Sequence, residues 1–212
     1  MTFWRYRMSK PVLAIDIDDV LYPFSSKFLT FVNVILGEHK TLDDIGNRQF
    51  EEMYNLTRAE TLQFIKYFMN IEREMDYIEP IHGSISTIQE LAKVFDLQVV
   101  TARYSCYAEQ TQDWINKYFP GLFSKIHYCE FNGANPSEGK TSKLKVCREI
   151  KAVCLIDDNV HNTFEVASGN IPCILFGEYS WNKDLPEGFK PLRLKSWSDA
   201  NVVLMPYLRR IL

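Results

Sequence analysis

The sequence predicts an α/β fold, a doubly wound parallel sheet with a small helical segment inserted after its first strand. Three observations point there. Five short runs are mostly continuously apolar rather than alternating, the pattern of strands covered on both faces. The last four are separated by helix-like segments, the rhythm of parallel strands joined by crossover helices. The first and fourth runs end in clustered carboxylates, which apolar packing does not accept without a compensating group.

The first run is PVLAIDI (11–17), and it leaves the apolar pattern through Asp16, Asp18 and Asp19. The interval 25–79 then breaks the alternation. It holds no convincing strand, but predicts helices over 25–37 and 57–75. The second opens with a capping box, Thr57-x-x-Glu60, and carries Leu62, Ile65, Phe68, Ile71 and Met69 roughly along one face. The expected division is therefore an α/β core from 1–24 and 80–212, with a helical cap over 25–79. SISTIQELAKVF (84–95) predicts a helix leading into the second run, LQVVTA (97–102). YAEQTQDWINKYF (107–119) predicts a helix stopped by Pro120-Gly121. IHYCEF (126–131) is the third run, TSKLKVCREI (141–150) a helix, and AVCLID (152–157) the fourth run. HNTFEVASG (161–169) predicts a helix capped by Gly169, and IPCILF (171–176) is the fifth run. SWSDANVVLMPYLRRIL predicts a last helix, begun by Ser196 or Ser198 and disturbed at Pro206.

Composition narrows the classes. A chain of 212 residues suffices for one good core with a modest insertion, and 46% hydrophobic with 24% charged residues is ordinary for a globular protein. The net charge of −3 argues against a nucleic-acid partner. The longest apolar run, FLTFVNVIL (28–36), falls well short of the ~20 residues that span a bilayer, so no membrane partner is expected. Cys106, Cys129, Cys147, Cys154 and Cys173 form no C-x-x-C pair, and Cys129, Cys154 and Cys173 sit in strand-like runs. They read as core thiols of a reducing, cytoplasmic compartment. The opening MTFWRYRMSK is basic and aromatic, and is expected to be a tail rather than a transit segment, with Met8 as an alternative start. His39, His82, His127 and His161 are scattered and take no role, and nothing in the chain requires a homodimer.

In a doubly wound sheet, chemistry gathers beyond the carboxyl ends of the strands, near the point where strand order reverses. Asp16, Asp18 and Asp19 at the end of run one, and Asp157 and Asp158 at the end of run four, would be brought together if those strands are neighbours. So many carboxylates stay ionised only beside a cation. An all-oxygen donor set, without His or Cys, suits Mg²⁺. Run two ends in Thr101-Ala102-Arg103 before a helix, and a hydroxyl with backbone amides there makes a phosphate cradle. Lys143 opens the helix before run four, where an ammonium can neutralise a phosphoryl oxygen; Lys140 and Lys145 are its near rivals. The inventory is that of phosphoryl transfer.

Asp16-x-Asp18-x-Val20, Thr101, Lys143 and Asp157-Asp158 follow the order of the four motifs of the haloacid dehalogenase superfamily, which the chain resembles from residue 11 to about 182. Within it, the chain is similar to the 5′(3′)-deoxyribonucleotidase branch and its bacterial nucleotidase relatives. Val20-Leu21 followed by Phe24, Pro80-Ile81-x-Gly83, Leu155-Ile156-Asp157-Asp158, Ile174-Leu175-Phe176, Tyr179-Ser180-Trp181-Asn182 and Ser196-Trp197-Ser198-Asp199 carry that likeness. Two positions depart from it: Asp19 stands where that branch often has Gly, and Thr101-Ala102-Arg103 where it has Thr-Ser. Arg103 is then either an extra cation near the phosphate or an outward salt-bridge partner. The resemblance implies a Mg²⁺-dependent phosphatase of small phosphomonoesters, most naturally nucleoside monophosphates. Asp16 would be the nucleophile and Asp18 the acid and base. Asp16, Asp18 (through its carbonyl), Asp157 and Asp158 would be the metal-binding set. Thr101, Ala102, Arg103 and Lys143 would hold the phosphoryl group, and Phe24 would stack on the base, with Tyr22 and Phe28 as further aromatic candidates. The alternatives are a sugar or other metabolite phosphate as substrate, or a catalytically retired binding protein.

Overall fold

A computed structural model describes residues 9–46, 50–70, 77–129 and 141–211. Met8, Ile71 and Lys140 lie outside that set, as do the ends of the expected 57–75 helix and 126–131 strand. Six strands form one parallel sheet: β1 (Val12–Ile15), β2 (Asp96–Thr101), β3 (Phe123–Tyr128), β4 (Ala152–Asp157), β5 (Cys173–Phe176) and β6 (Leu192–Leu194). Their order, β3-β2-β1-β4-β5-β6, reverses between β1 and β4, so the fold is the doubly wound α/β arrangement. The runs are uniformly apolar because both faces are covered. Leu13, Ile15, Val99 and Ile156 pack into one buried cluster, while Ala14, Val100, Leu155 and Val146 pack into a second.

Between β1 and β2 lie α1 (Phe24–Leu36), α2 (Phe50–Tyr54) and α3 (Arg58–Asn70), followed by α4 (Ser84–Ala92). Thr57 and Glu60 form the expected reciprocal cap of α3: Thr57 N donates to Glu60 Oε2 at 2.8 Å, and Glu60 N donates back to Thr57 Oγ1 at 3.3 Å. α1 meets α3 and α2 through rings, with Phe28 edge-on to Phe68 at 5.6 Å and to Phe50 at 4.9 Å. This ring cluster is continuous with the apolar core under the sheet, so α1–α3 rest on the α/β unit rather than standing apart from it.

The remaining helices are α5 (Ala108–Tyr118), α6 (Lys143–Glu149), α7 (Val160–Ser168) and α8 (Leu204–Ile211). Three details differ from expectation. β3 begins at Phe123, three residues before the apolar stretch that marks it, because Leu97 and Gln98 of β2 offer a pairing edge that early. Gly169 ends α7 with φ −84°, and the left-handed residue is Asn170 at φ 63°. A Cβ at Gly169 would lie 2.2 Å from Leu144 Cδ1, so the Leu144 side chain would have to shift to admit one. Pro206 does not disturb the last helix. Ser196 and Asp199 instead frame a separate 3-10 turn (Trp197–Asp199), and α8 starts afresh at Leu204. Pro206 falls in its first turn, where the missing N–H would have had no intrahelical partner. Among the described residues no helix is long and apolar enough to cross a membrane.

Candidate active site

β1 and β4 are adjacent, with Ile15 opposite Ile156, and Asp16 N donates to Ile156 O at 2.9 Å. Asp16 and Asp157 therefore leave the sheet side by side at the switch point. One carboxylate oxygen from each of Asp16, Asp157 and Asp158 can be chosen so that all three lie within 4.8 Å of one another, and all three residues are buried. The ammonium of Lys143 sits between two of them, 2.7 Å from Asp16 Oδ2 and 2.7 Å from Asp157 Oδ2. Ser142 caps α6 by accepting from Lys145 N, which fixes where Lys143 emerges. Lys145 itself shows no ion pair among the described residues.

The second oxygen of Asp16 accepts from Ile17 N at 2.8 Å. Asp157 Oδ1 accepts from Asn159 N at 2.8 Å, and Asn162 Nδ2 approaches both its oxygens at 3.3 and 3.4 Å. Burial pushes the Asp16 carboxyl up to about 6; Lys143 opposes the shift, while Asp157 and Asp18 add to it. Burial alone would lower Lys143, but Asp157 and Asp16 outweigh it and hold the ammonium charged well above the usual lysine range. One ammonium does not balance three carboxylates. The surplus negative charge, buried and presented only through oxygen, is compatible with a hard divalent cation such as Mg²⁺.

Asp18 follows Asp16 by two residues, past the end of β1. Both its oxygens are engaged by Arg103: Nη2 donates to Oδ1 at 2.7 Å, and Nε reaches both oxygens at 3.1 Å. Arg103 is buried, 6% exposed, so the outward salt-bridge alternative is corrected: the guanidinium turns inward. Its plane lies 4.6 Å from the centroid of Tyr22, and Nη1 reaches Thr111 Oγ1 at 3.3 Å. Held in this way, Arg103 grips Asp18 rather than reaching into open space for a phosphate. Thr101 is buried at the end of β2, where its Oγ1 accepts from Arg103 N. Ala102 is exposed beside it and, with Ser142, Lys143, His161 and Asn162, lines a recess of about 120 Å³.

The aromatic expectations divide. Tyr22 is fully buried, edge-on to Trp114 at 5.2 Å and beneath Arg103, and Phe28 is buried among rings. Neither offers a face to a ligand in this structure. Phe24 is half-buried, stacked on Phe28 at 5.4 Å and edge-on to Phe68 at 5.8 Å. Asp19 has φ 56°, a conformation glycine adopts at least cost. Its carboxylate accepts from Ser25 N at 2.9 Å and Ser25 Oγ at 2.5 Å, which satisfies the first turn of α1 and offsets the strained backbone.

Sequence reasoning missed the contribution of residues 177–182. Trp181 donates its indole N–H to Asp158 Oδ2 at 2.7 Å. Asn182 donates to the main-chain oxygen of the same Asp158 at 3.0 Å. The Tyr-Ser-Trp-Asn signature was visible, but its target, more than twenty positions earlier, was not.

With this geometry in hand, comparison with known proteins decides the family. The model of the family "5′ nucleotidase, deoxy (Pyrimidine), cytosolic type C protein" matches residues 10–209. The chain belongs to this family. A 5′(3′)-deoxyribonucleotidase of Bacillus subtilis (strain 168) is 26% identical over 161 residues, covering 72% of this chain and 78% of its own. One of the same name from Bacillus phage SPbeta matches equally. Solved structures share the fold. The haloacid dehalogenase-like hydrolase SP0104 of Streptococcus pneumoniae superposes with a TM-score of 0.63 at 14% identity, covering 91% of this chain and 97% of its own. The Bacillus subtilis HAD-hydrolase YfnB, solved bound to magnesium, gives 0.58 at 14% identity over 93% and 100%. The nucleotidase-family chain is thus a phosphoric monoester hydrolase acting on small-molecule phosphates, and it shares the fold of haloacid dehalogenase-like hydrolases.

Proposed function

We propose that the protein is a Mg²⁺-dependent nucleotidase that hydrolyses nucleoside monophosphates through an aspartyl-phosphate. The observation that carries this reading is the buried meeting of Asp16 with Lys143, Asp157 and Asp158 at the β1/β4 switch point, in a chain of the deoxynucleotidase family. An Asp16 oxygen attacks phosphorus, and the P–O bond to the leaving alcohol breaks. Asp18 gives that alcohol its proton, then takes one from the water that attacks the aspartyl-phosphate, releasing phosphate and restoring Asp16. For either transfer Asp18 has to give up part of its bidentate bond to Arg103, which sets where the carboxylate rests between turnovers. The Thr101 hydroxyl, the Ala102 amide and the Lys143 ammonium hold the phosphoryl oxygens, and the recess beside Ala102 and Lys143 receives the group. Mg²⁺, held by Asp16, the Asp18 carbonyl, Asp157 and Asp158, would supply charge neutralisation at the phosphoryl group. The segment 25–79 acts as the cap, with Phe24 at its entrance as the base-contacting ring. A cytoplasmic location accords with the free thiols among the described residues.

The test is phosphate release from nucleoside 5′- and 3′-monophosphates, deoxy and ribo, beside sugar phosphates, with and without Mg²⁺. Mg²⁺-dependent turnover of nucleotides that Asp16→Asn abolishes supports the reading. Turnover of sugar phosphates alone removes the nucleotide from it, and full activity in Asp16→Asn removes the mechanism.

A further inference from the structure

The loop after β5 does more than cover an edge of the sheet. Within it, consecutive residues grip both ends of one acidic residue: the Trp181 indole N–H holds the Asp158 carboxylate at 2.7 Å, and the Asn182 amide holds the Asp158 main-chain carbonyl at 3.0 Å and Phe176 O at 2.9 Å. Both residues are buried, as is Asp158. The grip is itself backed. Arg193, on edge strand β6, donates to Asn182 Oδ1 at 2.8 Å, to Asn182 O at 2.7 Å and to Gly177 O at 2.7 Å. The Trp181 ring stacks on Tyr179 at 4.4 Å and 8°, which fixes the direction of its N–H.

The same loop reaches two other parts of the molecule. Tyr179 Oη donates to Asp19 O at 2.9 Å, on the turn that carries Asp18. Ser180 Oγ lies 2.7 Å from both Leu42 O and Ile45 O in the helical segment after α1. Four successive residues, 179 to 182, thus tie the Asp18–Asp19 turn, the helical segment and Asp158 to one rigid span.

We propose that Trp181, with Asn182 behind it, is the positioning device of the metal site: it holds the Asp158 carboxylate in the orientation that a divalent cation requires. Groups behind a ligand restrict its rotation and orient its lone pairs, and losing one typically costs 10–100-fold in metal affinity. Trp181 bonds to the Asp158 carboxylate, so its action on the cation runs through Asp158. The proposal rests on the Mg²⁺ reading above.

The experiment is calorimetric titration of the full chain with Mg²⁺, comparing wild type, Trp181→Phe, Asp158→Asn and the double variant. Trp181→Phe keeps a ring to stack on Tyr179 and removes the N–H. The expected result is Mg²⁺ binding weakened ~10–100-fold. Introducing Trp181→Phe into Asp158→Asn should weaken it no further, since the two act through one link. Phosphatase activity of Trp181→Phe should fall at limiting Mg²⁺ and recover at saturating Mg²⁺, which a general folding defect would not do. Wild-type Mg²⁺ affinity in folded Trp181→Phe overturns the proposal, as does an equal further loss in the double variant. A wild-type chain that binds no Mg²⁺ overturns the metal reading beneath it instead. Should Trp181→Phe fail to fold, Arg193→Lys loosens the grip from behind and should weaken Mg²⁺ binding in the same direction; unchanged affinity there overturns the proposal.

Discussion

Replacing Lys143 with Met tests the electrostatics of the site most directly. The ammonium is 3% exposed and lies 2.7 Å from an oxygen of each of two buried carboxylates. At that distance, and an effective dielectric of ~20, each attraction is on the order of 6 kcal/mol before desolvation is subtracted. Removing one partner from a buried pair typically costs about 3–5 kcal/mol, because the remaining charge is left uncompensated. Met fills similar volume, so little of the loss would come from a cavity. The expected result for Lys143→Met is a stability loss of about 3–5 kcal/mol in urea unfolding at pH 7.5 with chelator present. The deficit should shrink towards pH 5, because a protonated Asp16 no longer needs the ammonium. Mg²⁺ should recover part of it at pH 7.5. A loss below about 1 kcal/mol at pH 7.5, or one that is the same at both pH values, would refute the argument that Lys143 compensates buried charge.

Further outcomes follow from individual groups. In the metal-free protein Asp16 is raised from 3.8 to about 6, so the folded state binds the proton more tightly than the unfolded chain. That contribution is present at low pH and is lost as pH rises from about 4 to 6, by up to about 3 kcal/mol, read as falling urea midpoints across that window. Asp18→Asn should lower kcat by ~10²–10⁴-fold in a phosphate-release assay while leaving Mg²⁺ binding close to wild type, because the carbonyl remains. Gly177→Ala places a Cβ 2.2 Å from the Tyr179 ring at φ 80°, and thermal unfolding should show a loss of about 1–3 kcal/mol. Thr57→Ala removes the hydroxyl that accepts from Glu60 N and donates to Glu60 Oε2, leaves the Thr57 N–H bond in place, and should cost about 1 kcal/mol by the same measurement.

The parallel sheet and the acidic strand ends are legible in the chain alone. Apolar runs covered on two faces, helices between them and carboxylates at the ends of β1 and β4 are all properties of residues close in the chain, where backbone period and side-chain type act directly. The strand order then makes Asp16 and Asp157 neighbours, because a doubly wound sheet reverses direction at its first strand. β6 escaped notice because three residues, Leu-Arg-Leu, carry no readable period, and α2 because five residues are little more than a turn. Direction and partnership come from the closed fold. Arg103 could point in or out until Tyr22 and Asp18 were found on its inner side, 85 positions from Asp18 in the chain. Tyr22 and Phe28 could face a ligand or the core, and packing buried both. Trp181 reads as one more apolar residue until its N–H meets Asp158, 23 positions away. A side chain's hydrogen-bond partner is set by which elements pack against it. That depends on the closed fold rather than on near neighbours, so local sequence specifies that Trp181 is buried but not which carboxylate it holds.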